Sequence, residues 1–418
     1  MLRSLPLKRI LTVFILLSIA ANPCFAVTEF ISVLNSSGTD DYTTLALWEA
    51  AMDNAGDITN PNCKVFSHGG ITGTMPDAGT VTGQTSGATG VIIHTTATQI
   101  LIDTIASGPF QSGEDVCDDS PTCANKVTLS NAGDGAIITV HIYNDDGPLD
   151  NTVTLDGLTT SATQYWHITS PAGERHTGIE GTGATIRATA DASTIVNSDA
   201  NTLIDWLEFD ESGKTTSRRS IITTTGDIHH NLFYDNTACN NGAACGVESS
   251  SGTVNITNNL FDNLGGSSEK AFGVGTAGTV NAANNTVFDV DSCAYSGGGS
   301  IILYNNFIDD NAGDGDALGP CTGGGNNSTN DSTADNDADC STGAVVDYEM
   351  DTVVTNTTTN FHLLSTATSV IDSGADLTTS YQANIDIDGR DRDAQGDTWD
   401  IGFDEFVSST ARRIILID

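Results

Sequence analysis

The sequence predicts an all-β chain wound as a solenoid of short strands, and three observations predict it. The 418 residues contain 43 glycines and 43 aspartates against 11 glutamates; Gly and Asp favour turns, whereas Glu favours helices. One short motif recurs through the second half at intervals of 21 to 28 residues. Each recurrence carries only two or three adjacent apolar residues, too few to bury a face alone, so neighbouring units have to cover one another.

The first 26 residues stand apart from that pattern. Arg3, Lys8 and Arg9 precede the apolar run Ile10 to Ala21, and Cys24-Phe25-Ala26 offers a small-x-small cleavage pattern, the organisation of a secretory signal peptide over 1–26. The apolar run is shorter than the roughly 20 residues of a membrane span. A lipoprotein anchor on Cys24 is rejected because Asn22-Pro23 stand where small residues belong. No later stretch is long enough to cross a bilayer, so the expected product is secreted or held at the cell surface. Fifteen basic and 54 acidic residues give a formal charge of −39, which excludes a nucleic-acid partner and implies strong self-repulsion without salt or bound cations.

Eight cysteines follow the signal segment: Cys63, Cys117, Cys123, Cys239, Cys245, Cys293, Cys321 and Cys340. An even count in an exported chain reads as disulfides. Cys117/Cys123 and Cys239/Cys245 each enclose five residues in Asp/Asn/Gly/Pro-rich segments, which favours local loop staples over zinc, whose usual knuckles are tighter and include histidine. Cys321 with Cys340 is a guess; spacing does not fix the remaining connectivity.

Residues 27–130 form an N-terminal cap and a Gly/Thr-rich β module. Leu45, Leu47, Trp48 and Met52, at near-helical spacing in Thr43 to Asn54, predict a short amphipathic helix that closes the open end of the solenoid. Gly69 to Gly113 carries the strands Val91-Ile92-Ile93 and Ile100-Leu101-Ile102, and its Gly83 to Thr89 turn resembles a small β module of secreted and phage structural proteins.

The solenoid is expected over 131–320. Its first half holds the strands Ile137 to Tyr143, Thr152 to Asp156, Ile186 and Ile195-Val196. Its second half holds the recurring pentad, an Asn, two mostly apolar residues, a variable residue and Asp or Asn. The copies are Asn231 to Asp235, Asn259 to Asn263, Asn285 to Asp289 and Asn306 to Asp310, with Trp206 to Asp210 placed in the same frame 25 residues earlier. Doubled asparagines, Asn258-Asn259, Asn284-Asn285 and Asn305-Asn306, suit a stacked bend in which each Asn donates to one coil and accepts from the other. On these residues the sequence resembles the right-handed parallel β-helix proteins of the pectate-lyase-like superfamily. The resemblance implies a right-handed parallel β-helix, a scaffold that commonly carries polysaccharide lyases and hydrolases.

Residues 321–345 read as a polar loop or insertion. Residues 346–418 read as the terminal coil and a C-terminal Asp-rich motif, with Ile385, Ile387, Trp399, Ile401 and Phe403 inward and Asp386, Asp388, Asp400 and Asp404 outward.

The chemistry the resemblance implies can be sought residue by residue. The Gly-His-Gly and Arg-x-Lys of pectin hydrolases are missing, and His68-Gly69-Gly70 is a partial echo. A lyase needs an Arg or Lys base beside a uronate, often with Ca²⁺. Lys214, Arg218 and Arg219 share one loop and the next coil brings His229 and His230, so these five are the catalytic candidates, beside Asp210 and Glu211. The plain alternative is a loop whose cations offset the acidic field. A uronic polymer would be repelled by so negative a body unless calcium bridged it. Tyr165, Trp166, Asp210 and Glu211 are the glycan-binding candidates, although a Trp here also suits the core. Asp386, Asp388, Asp391, Asp393 and Asp397 are the Ca²⁺ candidates, and Asp309, Asp310, Asp314 and Asp316 form a second acidic patch; solvated turns are the competing account. Phosphate-loop and G-x-S-x-G patterns are missing.

The expectation is therefore an exported adhesion or glycan-binding protein without catalysis, its partner a polysaccharide or cell-surface glycan. A polysaccharide lyase or related glycan-active enzyme with an Arg/Lys base and Ca²⁺ is the alternative.

Overall fold

A computed structural model describes residues 26–35, 41–144, 147–188, 191–216, 218–236, 239, 244–264, 270–290, 292–309, 321–330, 354–356, 360–377, 384–394 and 398–407. Residues 1–25 of the proposed signal segment 1–26, Asp310, Asp314, Asp316, Asp397 and Cys340 lie outside them.

Three parallel sheets run side by side along the chain's stacking axis. The first has nine strands: Val27–Leu34, Gly135–Ile142, Trp166–Thr169, Thr202–Asp205, Gly226–His229, Thr253–Thr257, Thr279–Ala283, Ser300–Tyr304 and Gly323–Gly325. The second has eight, from Leu149–Asp150 through Glu208–Asp210, Leu232–Tyr234, Leu260–Asp262, Thr286–Phe288 and Phe307–Asp309 to Ser328–Thr329. The third has six, from Val153–Leu155 to Ser292–Ser296. Each successive turn of chain adds one strand to a sheet beside the strand of the turn before, which is a β-solenoid. Val27–Leu34 belongs to it, pairing with Gly135–Ile142, although the sequence grouped it with the N-terminal module.

The asparagine doublets explain the bends. At the corner between the first and second sheets, Trp206, His230, Asn258, Asn284, Asn305 and Asn326 all take left-handed backbone with φ between 53° and 58°, a conformation that Asn tolerates better than most residues. The next residue of each doublet forms the ladder. Asn259 Nδ2 donates to Ile228 O at 2.9 Å, to Thr257 O at 3.0 Å and to Asn285 Oδ1 at 3.1 Å, and Asn231 N donates to Asn259 Oδ1 at 2.9 Å. Asn231, Asn285 and Asn306 repeat the amide-to-amide step, and Asn327 accepts the last of them from Asn306 and donates to Leu303 O.

The ladder corrects two expectations. Trp206 aligns with His230, not with Asn231, since Glu208 pairs with Leu232; Leu207 holds the ladder position and its N–H donates to Asn231 Oδ1. Within the segment 321–345, which reads as a polar loop or insertion, Gly323–Gly325 and Ser328–Thr329 instead add one more strand to each of two sheets, and residues 331–345 lie outside the described residues. With almost no apolar side chains, that coil is held by backbone pairing and by Asn327. Gly324 is required there, because a Cβ would lie 1.9 Å from Leu303 O.

Leu232, Leu260, Thr286 and Phe307 form one vertical row, as the pentads predict. The residues that point into the lumen are their neighbours Phe209, Phe233, Phe261, Val287 and Ile308, with the first three phenylalanines stacked at 4.8 Å. The Leu232 row faces outward and is buried by Phe361, Leu363, Ile387, Ile401 and Phe403. The C-terminal block therefore does not extend the stack as its last coil; it lies along the outer face of the second sheet. Phe403 N donates to Thr286 Oγ1 and Gly402 N to Asn305 O. Asp386, Asp400 and Asp404, expected outward, are buried, because they accept backbone N–H groups of Arg390, Phe406 and Leu363 and face Arg390 and Arg392.

The helix Leu45–Met52 is capped by Thr44 and closes the solenoid's first end, with Trp48 meeting Trp166 edge-on at 5.0 Å. The Gly/Thr-rich module is a closed antiparallel barrel of six strands within Lys64 to Leu129, with its own core around Phe66, Ile100, Ile102 and Phe110. Cys117–Cys123 and Cys239–Cys245 are disulfides as expected. Cys321 is disulfide-bonded. Cys63 is a buried free thiol, so the even count does not translate into complete pairing.

Candidate functional site

The cations singled out from the sequence are already engaged. Lys214 is fully buried, 2.5 Å from Glu211 and donating to Arg219 O at 2.9 Å; Glu211 also accepts from Thr194. Arg219 pairs with Glu248 at 2.7 Å. Arg218 is exposed and donates to Asp191 O. Asp210 is held by Arg187 Nε at 2.8 Å. These residues sit in the loop between the second and third sheets, whereas His229 and His230 sit at the corner between the first and second. The fold does not bring the five candidates together.

Trp166 is fully buried and its Nε1 donates to Asp199 at 2.8 Å, so it offers no platform to a ligand. The Asp-rich run diverges rather than converges. Asp386 Oδ1 accepts two backbone N–H groups, Asp388 pairs with His362 at 3.1 Å and Arg390 at 2.6 Å, Asp391 accepts from Asp393 N, and Asp393 accepts from Trp399 Nε1. Of these, Asp388 alone joins a group with metal-ligand spacing among the described residues, with His362 and Asp404.

The outer face of the first sheet gathers more chemistry. Alternation along each strand and the register between strands place outward side chains in columns. One column runs His167, Leu203, Asp227, Asn255, Asn281; the next runs Thr169, Asp205, His229, Thr257. Asn281 Nδ2 donates to Asn255 Oδ1 at 2.8 Å, and Asn255 Nδ2 to Asp227 Oδ1 at 2.7 Å. Beside them Tyr165, Leu203, Asp227, Thr253 and Asn255 line a groove of about 540 Å³.

Above the groove His167 bridges two carboxylates, Glu29 at 2.9 Å and Asp205 at 3.1 Å. Burial alone would lower its pKa, but hydrogen bonds to Asp205 and Glu29 outweigh burial and raise it to about 9. His167 is thus an imidazolium, and its hydrogen bond holds Glu29 below the usual carboxylate range. His229 Nδ1 lies 3.9 Å from Asp205 and 2.8 Å from His230 Nδ1. Burial lowers the pKa of both, so both rings are neutral.

Neutrality fixes the tautomers. His230 Nε2 is 3.0 Å from Ile385 O, a carbonyl, so Nε2 carries the proton and Nδ1 accepts. His229 Nδ1 must then be the donor, which leaves His229 Nε2 with a free lone pair on a side chain 14% exposed. His230 is also stacked on Trp206 at 4.3 Å, so the relay is held on both sides.

Sequence reasoning found Tyr165, His229 and His230 but missed Glu29, His167, Asp205 and Asp227. The Asp227-x-His229 alternation was a usable local signal. Glu29 and His167 are 138 positions apart and carry none.

The fold and this face define a class: a parallel β-solenoid exposing a groove lined by Asp, Asn and Tyr beside a histidine–carboxylate cluster. Comparison with protein-family models, curated proteins and solved structures gives no match. Among the described residues no helix is long and apolar enough to cross a membrane.

Proposed function

We propose that the chain is an exported glycan-binding protein, built as a right-handed parallel β-helix, that holds an extended saccharide along the outer face of its first sheet. The handedness follows the general rule for parallel crossover connections. Export is supported by the signal-like N-terminus and by two disulfides, which belong to oxidising compartments.

The observation that carries the reading is the Asn281–Asn255–Asp227 column running along the stacking axis beside Tyr165. It offers repeated polar partners at strand spacing next to aromatic surface, which is what a polymer of hydroxyl-bearing rings requires. Binding is favoured over elimination because Lys214 and Arg219, two of the expected bases, are tied into internal ion pairs. For calcium, the all-oxygen group Glu49, Asp53 and Asp156 at the N-terminal helix is better suited among the described residues than His362, Asp388 and Asp404, whose carboxylates already face Arg390.

A panel of immobilised polysaccharides tests the reading. The expected result is retention on at least one glycan, weakened about tenfold or more by Tyr165→Ala or Asn255→Ala. Failure to bind any glycan, or binding that ignores both substitutions, removes it.

A further inference from the structure

We infer that the saccharide taken by this groove is an amino-sugar polymer bearing free ammonium groups. The inference rests on the glycan reading above and adds the charge of the ligand.

Three features of the face point to a cationic donor. The amide column is polar in one direction: each Asn turns its NH₂ toward the next acceptor, and the chain ends on Asp227 Oδ1. Asp227 is thus a fixed anion in the groove wall, with Oδ2 facing no protein donor among the described contacts. Two residues along the same strand and on the same face, His229 presents Nε2 as an acceptor because Ile385 O and His230 have claimed the alternative tautomer.

The charge around them is negative. Glu29 and Asp205 exceed the single charge of His167 between them, and Asp227 adds another. The fields of two cations, His167 and Arg175, reach His229; the Arg175 guanidinium lies 4.6 Å over Trp206 and its Nε donates to Ser170 O. His141, on the same face, is kept neutral by burial.

An ammonium group supplies three donors, no acceptor and one positive charge, which matches carboxylate and imidazole acceptors in a negative field. A hydroxyl gains no charge interaction there. A uronate brings the wrong sign, both to the groove and to a body of −39.

Calorimetric titration of the full chain with one oligosaccharide length in three forms tests this: free-amine glucosamine hexamer, its N-acetylated counterpart and a hexauronate. The expected result is at least about tenfold tighter binding of the free-amine form than of the acetylated one, weakening as NaCl rises from 0.05 to 0.5 M. Asp227→Asn should remove most of that preference. Leu203→Lys, which puts a cation into the groove and deletes no native hydrogen bond, should do the same in a protein of unchanged melting temperature.

Equal or tighter binding of the acetylated or uronate oligomer overturns the amine inference and leaves the glycan reading standing. No binding of any oligomer overturns the amine inference, and the glycan reading falls with it only if the polysaccharide panel is negative as well. An oligolysine that binds as tightly as the amine hexamer overturns the assignment to a sugar.

Discussion

His167 and the Glu180–Asp262 pair show how single residues set the pH response. His167 is raised to about 9 by its two carboxylates, so its contribution to stability is complete below the unfolded value near 6.5 and is lost as pH rises through about 9. Asp262 is raised by burial and by Glu180, and Glu180 is raised with it; the pair keeps a proton near neutrality and surrenders stability as that proton leaves. Burial holds His176, His229 and His230 neutral, and their contribution is lost as pH falls below about 6.5. Between pH 7 and 9 both of the first two effects oppose folding, so the urea midpoint should fall over that range. His167→Gln and Asp262→Asn should each flatten that limb in equilibrium unfolding; an unchanged limb in both variants would refute the assignment. None of this was legible in the sequence, because the partners of His167 come from strands near positions 29 and 205 and meet only through the register.

At the scale of elements, the asparagine ladder does work that the lumen's apolar side chains cannot. Every buried Asn at the second doublet position donates to a carbonyl of the preceding coil, and Asn231 and Asn259 donate to one of their own coil as well. Asn259→Ala should therefore cost about 2–4 kcal/mol, since it deletes several hydrogen bonds and leaves buried backbone groups unpaired. Asn284 at the first position takes a left-handed φ of 54° and its Oδ1 accepts from Asn305 Nδ2 at 2.9 Å. Asn284→Gly keeps the backbone conformation and loses the hydrogen bond, whereas Asn284→Val loses both and should be the less stable of the two, as thermal unfolding would show. The pentads made the ladder readable. They also held a clue to the second sheet: Leu232-Phe233, Leu260-Phe261 and Phe307-Ile308 are adjacent apolar pairs, and a strand with apolar residues on both faces is buried on both. The covering C-terminal block follows from that clue. The coil after the last pentad did not show, because Gly323–Gly325 and Ser328–Thr329 carry no apolar signal.

For the whole molecule, the decisive relation is between the C-terminal block and the first sheet's open face. The block covers the outward Leu232 row and reaches the corner where Ile385 O fixes His230, yet Tyr165, Asp227 and Asn255 still line an open groove. The closed lumen is shared by the coils themselves and does not need the block. Phe403→Asp, which buries a charge in the apolar cluster that holds Leu232, Phe307 and Ile401, should loosen the block while the parallel sheets persist. Far-UV circular dichroism should change little, and dye binding to exposed apolar surface should rise. Once Ile385 O withdraws, His230 is free to move its proton to Nδ1, and His229 then loses the constraint on Nε2. Nitrogen-15 shifts of His229 should move from one tautomer to a mixture, and groove affinity should fall several-fold without any substitution in the groove. Unchanged His229 shifts in a protein whose block is demonstrably loosened would break the link between the two ends of the molecule.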